Sequence, residues 1–188
     1  MQEKIYLRPL CLNDVSEKYL SWVNDPYITE YLGIGKKCLK YQDLVKYVED
    51  SPKNGRYNFA VITKNSKNHI GNCSIYSINQ ENKKFEIGWF IGDKNFWGGH
   101  YSTMVIFYLH KIGFLKMGLK KCIGYVDKKH VKARMTNKFA GYKEIGRENR
   151  RMEKENITTT NITLEITKRE WLANAKKLHV QYPELYII

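Results

Sequence analysis

Residues 83–106 read KKFEIGWFIGDKNFWGGHYSTMVI, and this stretch decides the fold. Its first part alternates: Phe85, Ile87, Trp89 and Ile91 share one face of an extended chain, and Glu86, Gly88 and Phe90 share the other. The pattern predicts a strand over 83–92. The link Asn95-Phe96-Trp97-Gly98-Gly99-His100 then leads into a helix over 101–116, with Met104, Tyr108, Ile112 and Leu115 as its buried stripe. A helix N-terminus presents unpaired N–H groups and a partial positive charge, and glycines before it let a phosphate approach the backbone closely. Two adjacent glycines before a helix are also an ordinary turn. No Gly-Lys-Ser/Thr follows and Gly-x-Gly-x-x-Gly is absent, which excludes a Walker loop and a dinucleotide fingerprint.

Working outward, residues 57–63 and 69–78 read as strands joined by a polar turn, and 83–92 completes a meander. Upstream, residues 4–9 form a short strand. Asn13 and Asp14 are N-cap types, ahead of Tyr19, Leu20 and Val23 at helical spacing, and Asp25-Pro26 ends that helix. Residues 41–50 place Leu44, Val45 and Val48 on one helical stripe. Downstream come a strand over 120–126, a helix over 130–140 stopped by Gly141, and strands over 142–149 and 158–167 around a polar turn near Glu153 to Asn156. The tail from Lys168 starts as a helix. The order β-α-α-β-β-β-α-β-α-β-β predicts a mixed α/β fold with a mainly antiparallel sheet, not a doubly wound one.

With 188 residues, one domain over 1–170 with a C-terminal tail over 171–188 packed on it is the expected organisation. Thirty-two Lys and Arg against 19 Asp and Glu give a formal charge of +13, which suits an anionic partner. Cys11, Cys38, Cys73 and Cys122 form no C-x-x-C pair and no zinc spacing, so no metal is expected and the thiols read as free. The N-terminus lacks the apolar region of a signal peptide, and the longest apolar run, Met104 to Leu109, is too short to span a bilayer. A cytoplasmic protein without a membrane partner is the expectation.

Glu86 to Ile106 resembles the core of the GNAT superfamily of acetyl-CoA-dependent N-acetyltransferases, in particular the "EIGYWIG" strand and "YWGKGYATEA" loop of the ribosomal-protein N-terminal acetyltransferases. Leu7-Arg8-Pro9-Leu10, Trp22-Val23-Asn24-Asp25-Pro26, Ile70-Gly71-Asn72, Gly141-Tyr142 and Trp171 resemble further family pieces in the right order. The resemblance covers roughly residues 4–172. It implies a splayed mixed sheet with acetyl-CoA wedged between the fourth and fifth strands. It also implies pantetheine pairing with the backbone of Trp89, Phe90 and Ile91. The pyrophosphate would lie on the amides of Gly98, Gly99, His100, Tyr101 and Ser102. The family's loop is Gln/Arg-x-x-Gly-x-Gly/Ala; Gly98 matches it, whereas Asn95 and His100 depart from it. His100 either crowds the pyrophosphate or donates a hydrogen bond to it.

Acetyl transfer to an amine needs a base, because an alkylammonium with a pKa near about 10.4 is no nucleophile at pH 7. Glu86, in an apolar strand beside the implied acetyl site, is the candidate, and the family branch often carries Glu there. The acid is less legible. The positions where relatives place a Tyr, or the Asn and Ser of "N-x-x-S", hold Asn137, His130 and Ala133, leaving His130 as the candidate donor. The pattern around Trp22 and Tyr31 resembles proteins of amino-sugar biosynthesis, which makes those two rings candidate acceptor contacts and a nucleotide-linked amino sugar a candidate acceptor. A protein N-terminus is the alternative acceptor. A basic nucleic-acid-binding protein without catalysis is the alternative of another class. Against it, no nucleic-acid-binding motif appears, and the basic runs are broken by Glu148, Glu153 and Glu155. A monomer and a homodimer are both compatible with the sequence.

Overall fold

In a computed structural model, residues 3–33, 38–152 and 157–181 are described. Seven strands form one sheet in the order β1-β2-β3-β4-β5-β7-β6. They are β1 (Ile5–Pro9), β2 (Tyr57–Thr63), β3 (His69–Asn79), β4 (Lys84–Ile91), β5 (Lys121–Asp127), β6 (Lys143–Met152) and β7 (Ile157–Thr167). Every neighbouring pair is antiparallel except β4–β5. The helices are α1 (Glu17–Asn24), α2 (Pro26–Thr29), α3 (Tyr41–Asp50), α4 (Tyr101–His110), α5 (Val131–Ala140) and α6 (Lys168–Gln181). This is the mixed, mostly antiparallel architecture expected from the sequence. The polar turn expected near 153–156 lies outside the described residues.

The period-two reading of β4 explains the two cores. Phe85, Ile87 and Ile91 enter the main core with α4 and α6, and Phe90 packs against a smaller core built by Tyr19, Trp22 and Val23 of α1 with Leu44 and Val48 of α3. Within α6, Trp171, Ala175 and Leu178 join the main core, so the described part of the tail belongs to that core.

Two expectations need correction. The first helix is not capped by Asn13 or Asp14. Leu12–Asp14 is a 3-10 turn, and Ser16 caps α1 by accepting from the Tyr19 amide at 3.2 Å. Asp14 is instead drawn inward by Arg8, at 2.7 and 2.6 Å. The second concerns the stripe of α4. Thr103 to Phe107, Leu109 and His110 are buried, so the helix is covered on nearly all sides. Leu115 is 40% exposed, while Phe114 is fully buried. The cause is a π-helical stretch over Lys111–Lys116, whose wider turn breaks the 3.6-residue phase that the stripe assumed.

Candidate active site

Strands β4 and β5 pair only over Lys84↔Lys121, Phe85↔Cys122 and Glu86↔Ile123, and then diverge. The amides of Gly92 and Asp93 both donate to the Ile70 carbonyl on β3. By the alternation of a ladder, Phe90 and Gly88 therefore turn their backbone groups toward β3, and Trp89 and Ile91 turn theirs toward the open side. The Ile91 carbonyl is indeed free of the β3 ladder: it accepts a hydrogen bond from Trp97 Nε1 at 2.7 Å. A wedge edged by backbone outside any strand ladder is the shape an extended amide-bearing arm would fill.

The wedge ends at the N-terminus of α4. A 3-10 turn over Lys94–Phe96 precedes it, capped by Asp93 through the Asn95 amide at 3.1 Å. Gly98 follows at φ +83, a left-handed conformation that favours glycine. Among the described residues the N-cap side chain makes no capping hydrogen bond to α4, so its first-turn amides face the loop mouth. His100 is the N-cap residue, and its ring stacks near Phe139, with centroids 6.3 Å apart. Tyr101 is buried against Phe96, 5.3 Å between centroids, and Ser102 is half-buried on the first turn. These residues fit a pyrophosphate: a left-handed glycine, an uncapped helix N-terminus, and Lys94 and Lys132 both within 6 Å of the Trp97 ring at the rim.

On the other face of β4 lies a cavity of about 560 Å³ between the smaller core and the sheet. Its floor follows from register. Asn58 pairs with Ser74, Tyr76 with Glu86, Ser74 with Gly88 and Asn72 with Phe90, so these side chains share one face. Glu86 is half-buried in this row. A bulge follows Tyr76, with Ser77 at φ +49, so the ladder breaks just beyond the Tyr76–Glu86 pair. Arg56 donates to Ser74 Oγ at 2.9 Å and lies 4.0 Å over the Tyr76 ring. Burial raises the Tyr76 phenol above its usual range, the Glu86 charge adds to this, and Arg56 opposes it. A Cβ at Gly88 would stand 3.3 Å from Tyr76 Cε1 and 3.5 Å from Ser74 Oγ, so glycine keeps the floor open at its centre.

The predicted residues are distributed as follows. Trp89 packs partly buried on the main-core side and also edges the cavity. Trp22 is 5% exposed; its indole fills the space where Gly92 lacks a Cβ, and it supports the cavity wall from behind. Tyr31 and His130 are brought together: their rings stack at 4.2 Å and 11°, joining the chain after α2 to the start of α5. Burial lowers the His130 pKa, against the pull of Glu30 and Asp127, so the imidazole is mostly neutral at pH 7. Sequence reading missed Arg56, Asn58, Ser74 and Tyr76 on the floor and the Trp97 bond. The floor residues alternate along β3 and along β2 and the residue before it, on the side that Glu86 occupies on β4, so pairing the strands in register is the signal that finds them.

The profile of the acetyltransferase (GNAT) domain matches residues 4–143. An uncharacterized N-acetyltransferase p20 from Bacillus licheniformis is 29% identical over 128 residues, which is 66% of this chain and 71% of that protein. Among solved structures, spermidine N-acetyltransferase from Vibrio cholerae in complex with CoA and spermine is similar, with a TM-score of 0.77, 20% identity, and coverage of 89% of this chain and 98% of that one. A GNAT-family acetyltransferase from Bacillus anthracis matches with a TM-score of 0.77 and 17% identity, over 90% of this chain and 98% of that one. A splayed β4–β5 wedge closed by a glycine loop and a helix N-terminus defines an acyl-CoA-dependent acyltransferase. The chain belongs to the GNAT acetyltransferase family and takes its acetyl group from acetyl-CoA. Among the described residues, no helix is long and apolar enough to cross a membrane.

Proposed function

We propose that the protein transfers the acetyl group to a primary amine held in the cavity on the Glu86 face, by direct attack on the thioester. The observation that carries this reading is the position of Glu86. It lies at the last β4–β5 pair, where the wedge opens, and on the strand face that floors the cavity. The backbone of Trp89 and Ile91 holds the pantetheine arm, with Phe90 between them directed into the smaller core. The amides of Gly98, Gly99, His100, Tyr101 and Ser102 hold the pyrophosphate. Glu86 takes the ammonium proton, directly or through a water, and the freed nitrogen forms the C–N bond as the C–S bond breaks. An amide on the open side of β4 donates to the thioester oxygen as charge develops there. The nitrogen gives up its second proton to water as the amide forms, and the thiolate takes one from water. His130, stacked on Tyr31, is not assigned the proton donation.

A nucleotide-linked amino sugar is the acceptor class that this reading favours over a polyamine. Arg56 in the floor and a formal charge of +13 both disfavour a polycation. The test is thiol release from acetyl-CoA with a panel of amino sugars, nucleotide amino sugars, peptides and polyamines, using wild type and Glu86→Gln. Transfer to at least one amine, slowed about 10²–10⁴-fold in the variant, supports the reading. Transfer at an undiminished rate in Glu86→Gln removes Glu86 as the base.

A further inference from the structure

The cavity floor has a feature that acetyl transfer itself does not require: it holds buried hydrogen-bond donors left without acceptors. Arg56 spends one of its N–H groups on Ser74 and stacks on Tyr76, and among the described residues no carboxylate pairs with it. Asn58 accepts from the Tyr47 hydroxyl at 3.0 Å through Oδ1, while its Nδ2 is buried without a partner. Asn72 is 6% exposed, and its Nδ2 is likewise buried without a partner. Its orientation is fixed by chemistry. His69 Nε2 lies 3.1 Å from the Gly71 carbonyl and 2.8 Å from Asn72 Oδ1, so the ring nitrogen carries the proton and Oδ1 accepts it. The Tyr19 phenol is near enough to feel the Asn72 amide, but no hydrogen bond of ordinary geometry joins them.

Buried donors without acceptors are costly, so a floor that keeps two amides in this state, beside a half-buried guanidinium with no carboxylate paired to it among the described residues, is built for something else to satisfy. The nearby carboxylates do not do so. Asp43 is engaged at the start of α3, accepting from the Lys40 amide at 2.8 Å, and Asp50 is bonded to Lys53 at 3.2 Å. Glu86 lies in the same row as Arg56. Tyr57 pairs with Ile75, so Arg56 is level with Tyr76, and Tyr76 pairs with Glu86. Two strand spacings, about 9–10 Å, separate the two backbone positions.

We propose that Arg56, with Asn58, Asn72 and Ser74, is the anion-holding half of the acceptor site, so that the acceptor is a small molecule carrying both a primary amine and a phosphate or carboxylate. This rests on the reading that the amine is acetylated beside Glu86. The row then sets a ruler: amine at Glu86, oxyanion at Arg56, and Tyr76 between them as the surface on which the connecting atoms lie. A cavity of about 560 Å³ suits a ligand of that size.

The test is calorimetric titration of the CoA-loaded protein, whose pyrophosphate loop is thereby occupied. The probes are matched pairs: glucosamine 6-phosphate with glucosamine, O-phosphoethanolamine with ethanolamine, and alanine with alaninamide. The charged member of at least one pair binds tenfold or more tightly than its neutral partner, and the winning pair separates phosphate from carboxylate. Arg56→Gln abolishes the difference while acetyl-CoA still binds as in wild type. Asn58→Asp, which places a negative charge on the floor, also abolishes it and carries the test if Arg56→Gln does not fold. No discrimination in any pair, or discrimination that survives in a folded variant, overturns the inference. A protein N-terminus as acceptor would appear as transfer to peptides without charge discrimination among the small amines, which also overturns it. Thiol release reads the underlying activity separately: discrimination without transfer refutes acetylation beside Glu86 and leaves the anion site standing.

Discussion

Replacing Asp14 with Asn tests whether the sheet anchors the wall of the acceptor cavity. Asp14 is 6% exposed, and its two oxygens meet the two terminal nitrogens of Arg8 at 2.7 and 2.6 Å, while the Cys11 amide donates at 2.9 Å. This fork ties β1 to the turn that launches α1, whose Tyr19 and Val23 line the cavity. Asn keeps one acceptor and turns an NH2 toward a guanidinium that can only donate. Charge-assisted bonds contribute about 1.5–3 kcal/mol each, and breaking a fully buried pair costs about 3–5 kcal/mol. Because the Arg8 side chain is 39% exposed and regains water, the loss is discounted to about 2–3 kcal/mol. For a domain of this size, about 2–4 °C per kcal/mol predicts a fall in Tm of roughly 4–12 °C. The pH dependence adds a second check. Burial alone would raise the Asp14 carboxyl, but hydrogen bonds from Arg8 and Cys11 outweigh it and hold the folded pKa below the ordinary carboxylate value. The stabilisation is therefore complete above the unfolded pKa, about 3.9, and is lost as pH falls through the folded pKa. Thermal unfolding of both proteins from pH 7 down to pH 2 should show the gap closing at the acid end. A variant within about 0.5 kcal/mol of wild type at pH 7, the scatter of ordinary surface changes, would refute the argument.

Gly98→Ala forces an L side chain into φ +83, at a cost of about 1–2 kcal/mol, so acetyl-CoA should bind about tenfold more weakly by calorimetry with little change in far-UV circular dichroism. Equal affinity would mean that this loop does not hold the pyrophosphate. Gly113→Ala places a Cβ 2.3 Å from Phe85 Cζ in the main core and should destabilise by about 1–3 kcal/mol in denaturant unfolding, an effect absent if the π-helical turn simply opens. Trp97→Phe removes the donor from the Ile91 carbonyl. If acetyl-CoA takes over that carbonyl, the indole emission change on binding should be present in wild type and lost in this variant.

How much is legible in the sequence differs between the fold and the site. The alternation through Phe85 to Ile91 is a local property of a pleated chain, so it specifies β4, its two faces and the placement of Glu86 opposite the main core. Gly141 stops α5 at φ +99 for a similarly local reason. The stripe of α4 fails at Leu115 because a π turn is set by packing around Phe85, Phe114 and Trp171, not by local propensity. His130 and Tyr31, candidates for separate roles on sequence grounds, are a single stacked pair, a contact between residues far apart in the chain.

The order of the strands and of the longer helices, the glycine-loop-to-helix junction and the family were legible in the residues alone, because each depends on neighbours within a few turns or on an ordered set of short motifs; the short α2 was not. What shares the sheet face of Glu86 follows from the tertiary structure. Asn58, Asn72 and Ser74 come from two strands whose register with β4 is fixed by bulges and by packing across the sheet, and Arg56 lies just ahead of the first. A one-residue slip would turn all of them to the other face, and nothing local to Arg56 or Asn58 says which way they point.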